Sequence, residues 1–207
     1  MHLPDGIISF EQAIIYWTIT LIIVSLFFYK FSNDENKEKR IISIALFSVF
    51  TIGITSLSIP SPLGVPIHFF IIPLIAMLLG PFSSTIVSFV TLIMQALTLN
   101  MGGITSLGAN FIVIGFILSV ATYGFYKLFL NLNKKFAIFG STVIGIIIAT
   151  FGQIGILLIS GAMNLDVLLS TLLPFYVFIS FIEGFANVII ITAIEKIKPE
   201  IIEINKI

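Results

Sequence analysis

FEQAIIYWTITLIIVSLFFY, running from Phe10 to Tyr29, decides the fold class. A predominantly apolar run of this length, at 1.5 Å per residue, makes a helix of about 30 Å, which matches the hydrocarbon core of a bilayer. It stops at the charged loop Lys30 to Arg40. Outward from this run the whole chain has the same character: 207 residues, 58% hydrophobic and only 10% charged, with a mean hydropathy of +1.17. A soluble domain of this length is far more polar, so the chain reads as an all-α integral membrane protein, a single transmembrane domain over residues 1–207. No basic stretch precedes the first run and no small-residue cleavage pattern follows it, so Met1 is expected to be the mature terminus.

Seven crossings are expected. After Phe10 to Tyr29 the second runs from Ile41 to Ile59, and then Pro60 to Pro66, with three prolines and a glycine, breaks any helix passing through it. His68 follows at once. The third run, Ile67 to Leu79, is only about 20 Å long as a helix, short of the roughly 30 Å core. Its leading loop is therefore expected to dip into the membrane profile, where irregular backbone survives only if protein buries it or it lines a cavity. Gly80-Pro81 is expected to turn the chain into a fourth crossing, Phe82 to Leu99, followed by the glycine-rich loop Asn100 to Gly108. Ala109 to Leu130, Phe136 to Ser160 and Val167 to Glu195 complete the set. On the sixth, Ser141, Gly145, Ala149 and Gln153 lie four residues apart, the small-residue spacing that lets membrane helices pack closely. Internal packing is the expected use of that stripe, with an interhelical hydrogen bond for Gln153.

The basic residues orient this arrangement. With the N-terminus outside, Lys30, Lys37, Lys39, Arg40, Lys127, Lys134, Lys135, Lys196, Lys198 and Lys206 all fall on the inner side, together with the C-terminus. They read as topology signals facing membrane lipid rather than as a nucleic-acid patch, and the net charge of zero hides the asymmetry. Both histidines and both breaker-rich loops then share the outer side.

Cysteine is absent, so His2 and His68 are the only imidazoles and any nitrogen-rich metal site must use them. A free terminus followed by His2 offers three nitrogens: the Met1 α-amine, the His2 amide nitrogen and Nδ1 of its ring, closing a five-membered and then a six-membered chelate. Such a planar set suits Ni(II), Cu(II) or low-spin Co(II) better than the tetrahedral preference of zinc or the oxygen shells of magnesium and calcium. The bland alternative is that His2 frays into solvent, as termini commonly do. Against it, Pro4-Asp5-Gly6 is a turn signal of the kind that can fold a terminus back onto the protein, though it is common in ordinary turns too. Asp5 is expected either to orient the His2 ring or to cap the turn or the first helix; Gln95 and Asn110, near the outer ends of their helices, are expected to hydrogen-bond an imidazole or a backbone group. Glu183, a mid-helix carboxyl, is assigned to a buried polar network, too deep to bind an outer metal itself.

Met1-His2-Leu3-Pro4-Asp5-Gly6, Pro66-Ile67-His68, Leu79-Gly80-Pro81, Gln95-Ala96-Leu97 and Gly102-Gly103-Ile104-Thr105-Ser106-Leu107-Gly108-Ala109-Asn110 resemble, in order and spacing over the whole chain, the substrate-capture component of energy-coupling-factor cobalt and nickel transporters, the CbiM/NikM family. The resemblance implies seven helices, an inserted N-terminus, and Co2+ or Ni2+ as transported substrate. It implies metal binding through the Met1 amine, the amide and ring nitrogens of His2, and His68, with Asp5, Gln95, Thr105 and Asn110 around them. The implied partners are a transmembrane coupling protein, two cytoplasmic ATPase subunits and a small extra membrane subunit. One departure stands out: before Ile182-Glu183-Gly184, where many members carry a histidine, this chain has Tyr176, Val177 and Phe178.

No P-loop motif occurs in the chain, so ATP hydrolysis is expected from partners. Three rivals are a proton- or sodium-coupled secondary transporter, with Glu183 its one clear exchangeable carboxylate; an intramembrane enzyme, for which base and ligand sets are thin; and a vitamin-binding relative.

Overall fold

Ser9 starts the first helix. Its hydroxyl accepts from the Gln12 N–H at 3.3 Å while the Gln12 side chain accepts from the Ser9 N–H at 3.1 Å, a reciprocal cap that fixes where α1 (Phe10–Ser32) leaves the N-terminal arm. The structure, a computed structural model, describes residues 2–57 and 68–197. Met1, the three-proline loop 60–66 and the tail beyond residue 197 lie outside the described residues, as do the expectations that fall on them. Within the described residues all regular structure is helical: α2 (Lys37–Thr55), α3 (Ile72–Thr98), α4 (Leu107–Asn110), a π-helical stretch (Phe111–Ile117), α5 (Leu118–Phe129), α6 (Lys134–Ile159) and α7 (Leu165–Ile197).

Five of these are long and apolar enough to cross a membrane: α1, α3, the continuous rod from Leu107 to Phe129, α6 and α7. α2 is not among them, because it opens on the charged turn Lys37-Glu38-Lys39-Arg40. The protein is therefore a multi-pass membrane protein, and its exterior agrees: Ile15, Leu21 and Ile22 on α1 and Phe185 and Ile189 on α7 are exposed, as lipid-facing residues are.

The turn expected at Gly80-Pro81 is present, and it joins two helices within the stretch labelled α3. Gly80 adopts φ 81° and ψ 167°, a conformation that L side chains avoid, and Pro81 has no N–H to continue the ladder. The break divides α3 into a short leading half, Ile72 to Leu79, and a longer trailing one. The leading half is the centre of the molecule: Ile72, Leu74, Ile75, Ala76 and Leu78 expose 1% or less of their surface. Just after the break, Phe82 lies beneath the Lys30 ammonium at 4.0 Å and Ser83 accepts from Arg40 at 3.3 Å, so the break sits beside the end of α1 and the start of α2. The far end of α3 meets the opposite end of α2, where the Gln95 amide donates to the Thr55 hydroxyl at 2.8 Å.

At that same end Gln12 on α1 reaches the Ile159 carbonyl of α6 at 2.9 Å, and the Trp17 indole N–H reaches the Ile104 carbonyl at 3.0 Å. α6 begins with the Asn133 side chain accepting from the Lys135 and Phe136 amides at 2.9 and 3.2 Å. An ion pair between Lys134 and Glu195 ties the start of α6 to the end of α7. The stripe Ser141, Gly145, Ala149 and Gln153 is buried and serves internal packing, with Gly145 against Thr122 of α5. Gln153 does not complete the interhelical bond expected of it: its Oε1 is buried with no hydrogen-bond partner.

Candidate metal site

The N-terminal arm, residues 2 to 9, is stitched to the glycine-rich loop and the start of the Leu107 rod. The Leu3 N–H donates to Asn110 Oδ1 at 2.7 Å and the Leu3 carbonyl accepts from Asn110 Nδ2 at 3.0 Å, so one side-chain amide holds both backbone groups of one residue. Ser106 Oγ donates to the same carbonyl at 2.5 Å. The Leu3 side chain is buried in the core.

Two residues on, the exposed Asp5 carboxylate accepts from the backbone amides of Ile104, Thr105 and Ser106 at 3.1, 2.9 and 3.2 Å and from the Thr105 hydroxyl at 2.5 Å. The Thr105 hydroxyl, with these amides, holds the carboxyl below its ordinary pKa. This corrects the expectation for Asp5. It neither orients the His2 ring nor caps α1, whose cap is Ser9; it closes the glycine-rich loop, because three consecutive N–H groups converge on it. The loop is glycine-rich for the same reason. A Cβ on Gly103 would run into the Asp5 side chain and lie 2.5 Å from its backbone nitrogen.

This docking puts His2 into a cavity of about 290 Å³ whose wall also includes His68, Thr55, Gln95, Phe175 and Tyr176. The histidines, 66 positions apart in the chain, thus share one chamber. The His2 residue is partly exposed, but its Nε2 is buried and has no hydrogen-bond partner. Burial, and after it the charge of the N-terminal amine, pushes the His2 pKa down to about 3; the Gln95 amide beside the ring works against them without closing a bond to Nε2, and His68 adds a smaller lowering. His2 is therefore a neutral imidazole at physiological pH, the form that ligates metals.

His68 is fixed from the other side. Its Nδ1 lies 3.3 Å from the Thr55 carbonyl at the end of α2. A carbonyl only accepts, so Nδ1 carries the proton and the Nε2 lone pair is left for a ligand. Thr55 carries Gln95 too, since its hydroxyl accepts from Gln95 Nε2 at 2.8 Å while donating to the Thr51 carbonyl at 2.6 Å. Of the residues expected around the site, Gln95 lines the chamber, while Asn110, Asp5 and Thr105 act by holding the arm. Thr55 and Ser106 were not singled out by sequence. Tyr176 and Phe175 bring α7 to the chamber, and Tyr176 packs on Phe70 with ring centroids 5.9 Å apart. Among the described residues no group of three or more His, Asp or Glu side chains converges.

A helical bundle that seats its N-terminal arm against a chamber holding both imidazoles is a multi-pass membrane protein with a histidine-lined cavity. The chain belongs to the CbiM family: residues 2–201 match the family described as the cobalt uptake substrate-specific transmembrane region. It is 30% identical over 147 residues to the cobalt transport protein CbiM of Thermosipho melanesiensis, covering 70% of this chain and 62% of that protein. To CbiM of Clostridium tetani it is 32% identical over 147 residues, covering 70% and 61%. The chain thus spans about three fifths of the length of these relatives. A protein of Archaeoglobus fulgidus, provisionally named a fused nickel transport protein NikMN, is 27% identical over 206 residues, covering 98% of this chain and 68% of that protein. A crystal structure described as a transition metal transporter shares the fold, with a TM-score of 0.83, 24% identity, and coverage of 95% of this chain and 93% of that one.

Proposed function

We propose that this protein captures Co2+ or Ni2+ at the outer face of the membrane and delivers it inward as the substrate-specific subunit of an ATP-driven energy-coupling-factor transporter. The observation that carries this is the shared chamber, with a neutral His2 on a docked arm and His68 held by Thr55 with Nε2 free. The Met1 amine, the His2 amide nitrogen and His2 Nδ1 form the three-nitrogen chelate, and His68 Nε2 completes a planar four-nitrogen set. Relatives named for cobalt and for nickel support both cargoes. Seven crossings, with the arm outside and the C-terminus inside, follow if α2 spans and the two halves of α3 are counted separately; the clustering of Lys30, Arg40 and the α3 break at the end away from the chamber supports this. With no P-loop in the chain, ATP is hydrolysed by two cytoplasmic partners acting through a membrane coupling protein, with a small extra membrane subunit alongside. A cation-coupled secondary transporter would need Glu183 free to exchange protons, whereas both its oxygens are taken by backbone N–H groups.

Titration of the purified full chain with Ni(II) and Co(II), followed by calorimetry and absorption, tests the reading. Wild-type protein gives the yellow band of planar Ni(II). His2→Ala, His68→Ala and one extra residue before Met1 each lower affinity by roughly a hundredfold or more. Unchanged affinity in the extended protein overturns the terminal-amine site.

A further inference from the structure

Glu183 lies inside α7, and only 1% of it is exposed. Its two oxygens do not pair with a cation. Oε2 accepts from the Phe70 N–H at 2.9 Å and Oε1 from the Ile71 N–H at 2.9 Å, so one carboxyl takes two consecutive backbone amides. The Ile71 amide is that of the N-cap residue of α3, which makes no side-chain cap of its own, and the Phe70 amide is that of the residue before it. Ile71 sits at φ 62°, which a β-branched residue adopts only when its surroundings impose it. The Glu183 carboxyl supplies that constraint, and the segment it constrains begins two residues after His68.

We propose that Glu183 is a positioning residue for metal capture: by clasping the Phe70 and Ile71 amides from α7, it sets the backbone from which the His68 imidazole reaches the chamber. His68 is then held at two points. The Thr55 carbonyl fixes the ring through Nδ1, and Glu183 fixes the main chain that carries it. Neither touches the ion. A displaced ring of this kind costs more than its own bond energy, because the fourth nitrogen must meet a plane already set by the terminal chelate. The inference rests on His68 being a ligand.

Glu183→Gln in the full chain tests it. The amide keeps the shape of the side chain but replaces one acceptor with an N–H that opposes a backbone N–H. The expected result is a loss of Ni(II) affinity of roughly tenfold or more, with the bound-metal spectrum moving from the four-nitrogen form toward that of His68→Ala. In the His68→Ala background, Glu183→Gln should then cost nothing further. Ile71→Gly, which accepts a positive φ without strain, should recover part of the loss in Glu183→Gln. If Glu183 only anchors α7 in the bundle, melting falls while the spectrum stays wild-type, or the loss persists in His68→Ala; either result overturns the proposal. Glu183→Asp, one methylene shorter, provides the same reading if the glutamine variant does not fold, with a spectral shift expected and a wild-type spectrum overturning the proposal. Wild-type affinity in His68→Ala alone would instead overturn the metal site itself.

Discussion

His2 and Asp5 make docking of the arm a titration. In the docked arm the pKa of His2 lies at about 3, below its ordinary 6.5 chiefly because the ring is buried there, and that of Asp5 is lowered too. An undocked arm therefore binds more protons than a docked one in acid. The His2 contribution is complete above about pH 6.5 and is lost progressively toward pH 3, at up to roughly tenfold per pH unit; that of Asp5 is lost only below the ordinary carboxylate range. In metal-free protein, protection of the Leu3 amide from hydrogen exchange, corrected for the intrinsic rate, should fall by roughly tenfold or more between pH 6.5 and 5. Flat protection across that interval would show that the neutral His2 ring is not what the docked state selects. Much of this residue-scale design was legible beforehand. His2 and His68 were the only imidazoles in the chain, and the charge map set them on one side. The part played by Asp5 was not, because a carboxylate in Pro-Asp-Gly predicts a local cap, and only the approach of residues 104–106 turns it outward. Thr55 and Ser106 were hidden for a related reason. Serine and threonine in and beside apolar helices commonly bond the preceding turn, as Thr55 does with Thr51, so nothing in their spacing marks the second partner.

At the scale of elements, α3 carries the design. Its leading half is about 12 Å long by its helical rise, too short to cross alone. It is tolerated because protein surrounds it completely, Glu183 accepts from the two amides just before it, and Gly80 ends it. Gly80→Ala should destabilise the protein by ~1–3 kcal/mol, since alanine would be forced into a region of backbone space almost reserved for glycine. Thermal unfolding in detergent reads this, and an unchanged midpoint would mean that the backbone at Gly80 is free to relax. The dipeptide Gly80-Pro81 announced the turn, and the structure has it there: Ile72 before it and Gln95 after it line one chamber, while the turn itself lies beside Lys30 and Arg40. The π-helical stretch after Asn110 was illegible, because hydrophobic periodicity does not distinguish a wider turn from an ordinary one over seven residues. It follows directly on the residue that grips Leu3, where such irregular turns tend to be retained for function.

For the whole molecule, the ends of the bundle differ in kind. One gathers Lys30, Arg40 and the α3 break; the other gathers the arm, the glycine-rich loop and the chamber. The chain has no native cysteine, so single cysteines report sidedness without background. A cysteine at Lys37 or Lys135 in intact cells should resist a membrane-impermeant maleimide and react after permeabilisation, while one at Ile104 should react from outside. The reverse pattern would overturn the orientation. Legibility at this scale was high for membrane class and helix content and lower for the number of crossings, since α2 opens on a run of charges and the leading half of α3 is short.

Asn110, Ser106 and the 104–106 amides hold the arm by bonds that do not involve the cargo. In the proposed site that arm is also the source of three of the four donor nitrogens. Ligand and lid are then one object, and the ion's residence time becomes the lifetime of a local fold: cargo departs at the rate at which Leu3 and Asp5 let go.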